Sequence, residues 1–264
     1  MNKKNISELT PVQEIDGFFF KRDDLFKAAD GAYGGKARVV EYILSNDTSF
    51  GHVVTCGSRD SRQCELVARI CKKYERRCDI FVPSGNDTDV IKSIESLGNA
   101  TLHRTKVGYN NVLISQSKHF AEATHSLYIP FGLECQQSID INKWQVQNIP
   151  QCVKRIVIPC GGGMNMASVI KGIESFLTHE IQVVGVVVGK DPKDVLERFV
   201  GEKNGIFSTN VNYKLVYAET KYHQKAKSTS FCGIELDEVY EAKCIPFMQK
   251  GDLLWIVGKR ENLT

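Results

Sequence analysis

The sequence is short of everything that would place it in a membrane or hold it together covalently. No stretch reaches about 18 consecutive apolar residues, so no membrane span is expected. Met1 to Thr10 has no apolar core of the kind a signal peptide carries. The nine cysteines are an odd count, with no CxxC and no paired spacing, which argues against a disulfide framework. Cys64, Cys71 and Cys78 recur every seven residues, the spacing of one helix face running into a strand and not of a metal site. Reduced thiols and a cytoplasmic location are expected, with no metal. A large charge of one sign is also missing. A net +3 over 264 residues is too small to argue for nucleic acid by itself.

What is present is ordinary for a soluble globular chain, with 42% hydrophobic and 25% charged residues, and the length suffices for two lobes. Short β-branched runs alternate with helical patterns. Strands are expected at Phe18–Lys21, His52–Thr55, Asp79–Val82, Thr101–Arg104, Leu127–Ile129, Arg155–Ile158, Gln182–Val188, Lys214–Tyr217 and Leu253–Val257. Helices are expected at Lys36–Ser45, Ser61–Tyr74, Asp87–Leu97, Asn111–Ala123, Ile141–Val146, Met164–Phe176, Pro192–Phe199 and Leu236–Gln249. Asn86 or Asp87 is the expected cap of the third helix. This alternation predicts an α/β fold with mainly parallel sheets covered by helices. The block from His52 to Ile129 reads as an inserted lobe. Residues 46–131 are therefore expected as a small domain, with 1–45 and 132–264 forming a large one.

Four stretches carry candidate chemistry. In FFFKRDDLFKAADGAYGGKARVVE, from Phe18 to Glu41, Lys36 follows a glycine pair at the mouth of a helix. The positive end of the helix dipole disfavours an ammonium there, which suits a nucleophilic amine. A solvated first-turn lysine is the plainer alternative. PCGGGMN, Pro159 to Asn165, joins a strand to a helix. Its three glycines let backbone N–H groups approach an anion, phosphate above all, at a helix N-terminus. TCGSRDSRQ, Thr55 to Gln63, offers Ser58 and Arg59 at the end of another strand, with Asp60 or Ser61 as helix cap. LDEVYEAK, Leu236 to Lys243, reads as helical, which would point Tyr240 and Glu241 about 100° apart.

In this order the four stretches resemble one family. KRDDL…YGGKARVVEYI is similar to KREDL…GGNKxRKLEYL, TCGSRDSRQ to GxQSNxxRQ, and LDEVYEAK to LDPVYxGK. IPCGGGMNMASVIKG stands where the family carries GSGGTxAG. The family is that of 1-aminocyclopropane-1-carboxylate deaminase and D-cysteine desulfhydrase, fold type II (tryptophan-synthase-β-like) pyridoxal-phosphate enzymes. The resemblance implies a two-lobed fold and pyridoxal 5'-phosphate as cofactor. It implies an amino-acid substrate taken through an external aldimine to deamination or β-elimination.

It also implies roles. Lys36 would hold the cofactor as a Schiff base, and Gly161, Gly162, Gly163, Met164 and Asn165 would cradle its phosphate. Ser58 and Tyr240 fall on catalytic positions, Arg59 on a cofactor-binding position, and Glu241 on the carboxylate facing the pyridine nitrogen. The chain departs from the pattern at Gly35, Arg59 and Val39, and at Met164 or Asn165 in place of the family threonine. Two other readings stay open. One is decarboxylation, or another lyase reaction, of an amino acid attached to a larger molecule such as modified nucleic acid, met by Lys72, Lys73, Arg76 and Arg77. The other is a non-catalytic binder of pyridoxal phosphate or an amino acid. A homodimer is carried over from the family.

Overall fold

A computed structural model describes residues 6–106, 108–201, 210–220 and 224–258. The chain divides into two compact units, residues 1–26 with 136–260, and residues 27–135. The expected boundaries lay at 45/46 and 131/132. The helix that carries Lys36 therefore falls in the second unit, not in the larger one as expected.

The first unit is built on a six-stranded sheet, in the order Val12–Ile15, Phe18–Arg22, Leu253–Ile256, Arg155–Cys160, Ile181–Val187 and Val211–Tyr217. Only the first pair is antiparallel. Side chains alternate between the faces of a strand, and here both faces are buried. Ile156, Ile158, Val183, Leu253 and Trp255 pack on the helix Met164–Phe176 side. Phe20, Val157, Val184, Leu254 and Ile256 pack on the other side, against Ala242 and Cys244. The inner strands Arg155–Cys160, Ile181–Val187 and Leu253–Ile256 read as near-continuous apolar runs for this reason.

The second unit holds a four-stranded parallel sheet, in the order Ala100–Thr105, Arg77–Pro83, His52–Cys56, Leu127–Ile129. On one face Val54, Cys56 and Phe81 pack against Leu113 and Ala121 of the helix Asn110–Ala123. Gly35–Asn46 and Arg62–Lys73 are its other long helices. Cys64, Cys71 and Cys78 are all buried apolar fillers.

Every expected strand is present, and Leu127–Ile129 and the helix Met164–Phe176 match to the residue. Three expectations are corrected. Leu236–Gln249 is not an α-helix. A two-residue strand, Ile234–Glu235, precedes it, and the stretch itself holds a turn and a 3-10 segment Glu241–Phe247 that includes Pro246. The cap of the third helix is Thr88, whose hydroxyl accepts from the N–H of Ile91, rather than Asn86 or Asp87. Helix Gln136–Asn142 runs into a 3-10 turn, Lys143–Val146, where one helix over Ile141–Val146 was expected. No helix among the described residues is long and apolar enough to cross a membrane.

The tightest approach in the first unit is at Gly172. A Cβ there would overlap the carbonyl oxygen of Lys143 and lie 2.9 Å from both methyls of Val146. Since backbone cannot yield as a side-chain tip does, Gly172→Ala should destabilise the protein by about 1–3 kcal/mol. Urea unfolding checks it; wild-type stability would contradict this packing.

Candidate active site

Within the first unit, three features gather at the carboxyl ends of neighbouring parallel strands. Strand Arg155–Cys160 ends in Gly161–Gly163, and helix Met164–Phe176 opens directly after. The amides of the first helical turn have no acceptor within the helix, so they point toward whatever lies before it. The three glycines differ. Gly163 has φ +94°, and a Cβ there would lie 2.8 Å from Pro192. A Cβ at Gly161 would lie 3.1 Å from the Tyr240 ring. A Cβ at Gly162 would meet nothing within 4 Å. Gly163 is thus required by the protein's own packing, and Gly161 sits close against the Tyr240 ring. Gly162 keeps space open above the helix mouth, which is the property an anion cradle needs. Met164 supplies only backbone here, because its side chain is in the core, while Asn165 is half-buried.

The second feature is Tyr240, half-buried against Gly161. The third is Glu241, which is 1% exposed. Its Oε1 accepts the N–H of Val257, just past strand Leu253–Ile256, at 2.9 Å. Its Oε2 is buried with no hydrogen-bond partner among the described residues. Burial first, then the like charge of Asp237, push the Glu241 carboxyl up to about 8, against the help of backbone N–H donors. A buried carboxyl with one oxygen anchored and the other unmet is uncommon in a settled core and points to a missing partner.

Within the second unit, Gly34 (φ +93°) opens helix Gly35–Asn46, and Lys36 lies half-buried in its first turn. Burial lowers the Lys36 pKa, while nearby Cys64 and Glu134 act to raise it. Burial pushes the Cys64 thiol up to about 12, so at ordinary pH it is neutral. Ser58 follows strand His52–Cys56 and is exposed. Arg59 turns away along its own unit, donating to the Asn86 carbonyl at 3.0 Å and packing on Gly85. Its carbonyl accepts the Thr88 hydroxyl at 2.8 Å. Ser61 occupies the cap position of the next helix without a side-chain capping bond.

The glycine loop, Tyr240 and Glu241 are thus brought together in one unit, and Lys36, Ser58 and Arg59 lie in the other. The basic cluster expected to meet a polyanion is partly consumed. Lys73 binds Glu41 and the Ala28 carbonyl, both at 2.7 Å, and Arg76 donates to the Asp47 carbonyl at 2.6 Å. The sequence reading assigned no role to Glu134, Asp24 or Asp237, although each carboxylate acts on a candidate residue. Paired acids directly after an aromatic strand, as in RDDL, were the available signal for Asp24.

No family model matches the chain, and no curated protein sequence matches it. Solved structures do. The chain has the α/β fold of the fold type II pyridoxal-phosphate enzymes that its motifs resemble. An ACC deaminase homologue superposes with a TM-score of 0.76 at 18% identity, covering 98% of this chain and 95% of that one. Threonine deaminase isoform 2 from Solanum lycopersicum gives a TM-score of 0.64 at 14% identity, covering 96% and 84%. Maize serine racemase gives 0.64 at 14% identity, covering 96% and 89%.

Two outcomes follow from this geometry. Gly162→Leu should fold as the wild type does and weaken pyridoxal phosphate far more than pyridoxal, which lacks the phosphate. Equal weakening of both would mean that the loop meets something else. For Glu241, the native state keeps a proton that the unfolded chain releases near 4.5, so stability at this site falls as pH rises from about 4.5 to about 8. Glu241→Gln should gain on the cofactor-free wild type across that window, by on the order of a few kcal/mol. Urea unfolding of both proteins at either end of the window measures the gap, and a gap that does not change with pH would refute the buried proton.

Proposed function

We propose that this chain is a pyridoxal-phosphate-dependent enzyme that acts on an amino acid, by deamination or β-elimination. The observation that carries the reading is Glu241: a buried carboxyl with one unmet oxygen, next to a tyrosine packed on an open glycine loop. The arrangement fits the cofactor's chemistry. Gly161–Asn165 would bind the phosphate through backbone N–H groups. Glu241 Oε2, protonated below about pH 8, would hold its proton against the ring nitrogen. Lys36 Nζ, its proton affinity lowered by burial, would hold the aldehyde carbon and, once displaced by the substrate amine, take the Cα proton.

Bound pyridoxal phosphate would supply the electron sink for the pair left at Cα. Tyr240 and Ser58 would act on the substrate. Support comes from the names of structures sharing the fold, among them threonine deaminases, serine racemases and a pyridoxal 5'-phosphate-dependent aspartate racemase. The retained set of lysine, serine, tyrosine and glutamate favours an enzyme over a binder, because binding alone needs no groups for proton transfer.

The test is an absorbance titration of the cofactor-loaded protein with D- and L-amino acids, followed by product analysis. Ammonia release supports the reading, whereas inversion of the amino acid without ammonia would replace it with racemisation. Borohydride treatment should fix the cofactor to Lys36 in the wild type and leave no adduct in Lys36→Ala. An adduct mapped to another lysine would overturn the assignment.

A further inference from the structure

Asp237 is a carboxylate that the function above does not use, and the turn before Glu241 is built around it. Asp237 Oδ1 accepts two backbone N–H groups, from Val239 at 2.8 Å and from Tyr240 at 2.9 Å. Its own carbonyl accepts the N–H of Ala242 at 3.0 Å. Three amides flanking Glu241 thus end on one residue. Tyr240 has φ −114° and ψ −86°, outside the regular helix and strand wells, so its backbone must be held from outside. Gly161 and Val257 fix the two side chains, and Asp237 fixes the chain that joins them.

The same carboxylate acts electrically. After burial, it is the largest influence raising the proton affinity of Glu241. The other groups around Glu241 are weaker or balanced. Asp24, at the end of strand Phe18–Arg22, is ion-paired with Arg22 at 2.8 Å. The Cys244 thiol is itself pushed up by burial and by Glu241. Buried Lys243 has its proton affinity lowered by burial and raised by Asp237.

We propose that Asp237 is the positioning residue of this site: one oxygen fixes the backbone that presents Tyr240 and Glu241, and its charge stands as a like charge beside the Glu241 carboxyl. A purely structural cap would need only an acceptor. Asp237 supplies the acceptor and the charge together, and substitutions separate the two. The proposal rests on reading Glu241 as the residue facing the cofactor ring, but its first readouts do not need the cofactor.

In the cofactor-free full chain, the protonated Glu241 carboxyl is followed by its infrared C=O band, identified by its loss in Glu241→Gln. Asp237→Asn keeps the acceptor and removes the charge. It should lower the Glu241 midpoint by roughly one pH unit while hydrogen exchange at the Tyr240 amide stays near wild type. Asp237→Ala removes both and should speed that exchange about tenfold or more. If Asp237→Ala fails to fold, Asp237→Ser serves as the uncharged variant with a weaker acceptor. In the loaded enzyme, the alkaline limb of the kcat profile should move down with the midpoint in Asp237→Asn. An unchanged midpoint in Asp237→Asn, or wild-type exchange in the variant without an acceptor, would overturn the proposal. No turnover in the loaded wild type, with a midpoint that still moves in Asp237→Asn, would overturn the proposed function and leave this inference standing.

Discussion

The first unit depends on a late strand returning to its centre. Leu253–Ile256 pairs in parallel with Phe18–Arg22 on one side and Arg155–Cys160 on the other, so the end of the described chain joins its beginning to its middle. Its four residues are all buried, and without them the sheet would be two fragments. The same strand sets the chemistry. It ends beside the strand that feeds the glycine loop, and the next N–H, from Val257, anchors Glu241. A parallel sheet gathers its ligand-binding loops at the carboxyl ends of its strands, and the central position of this strand concentrates them.

Burial acts in opposite directions on the two most telling titratable residues. It raises the proton affinity of the Glu241 carboxyl and lowers that of the Lys36 amine, because in each case the charged form loses water. The acid is thereby kept as a proton holder and the amine is moved toward the free base. Carboxylates then adjust each residue: Asp237 and Asp24 favour the protonated form of Glu241, and Glu134 restrains the loss of the proton from Lys36. In each unit, therefore, the candidate proton-handling residue has its proton affinity altered by the same physical cause.

Much of the fold was legible because apolar periodicity reports burial. Leu127–Ile129 and Met164–Phe176 matched in full, with Pro130 directly after the strand and Gly163, at φ +94°, directly before the helix. Leu236–Gln249 misled because Glu, Ala and Lys have high helix propensity, and the Asp237 acceptor and Pro246 override it. Val12–Ile15 is short and two-faced, so no run announced it. At the candidate site, PCGGGMN and Lys36 were readable as local signals. The unmet oxygen of Glu241 and the double acceptance by Asp237 were not, because both are relations between residues brought together only by folding.

The account is tested most directly by the turnover of the loaded Glu241→Gln enzyme on its best substrate. Glutamine fills the same space and can still meet Val257, but it cannot carry the acid's proton. The account predicts that pyridoxal phosphate stays bound, with affinity only modestly reduced, while kcat falls by more than about tenfold, the factor that 1.4 kcal/mol represents. Unchanged kcat with bound cofactor would contradict the role of Glu241 and, with it, the match of LDEVYEAK to the family motif.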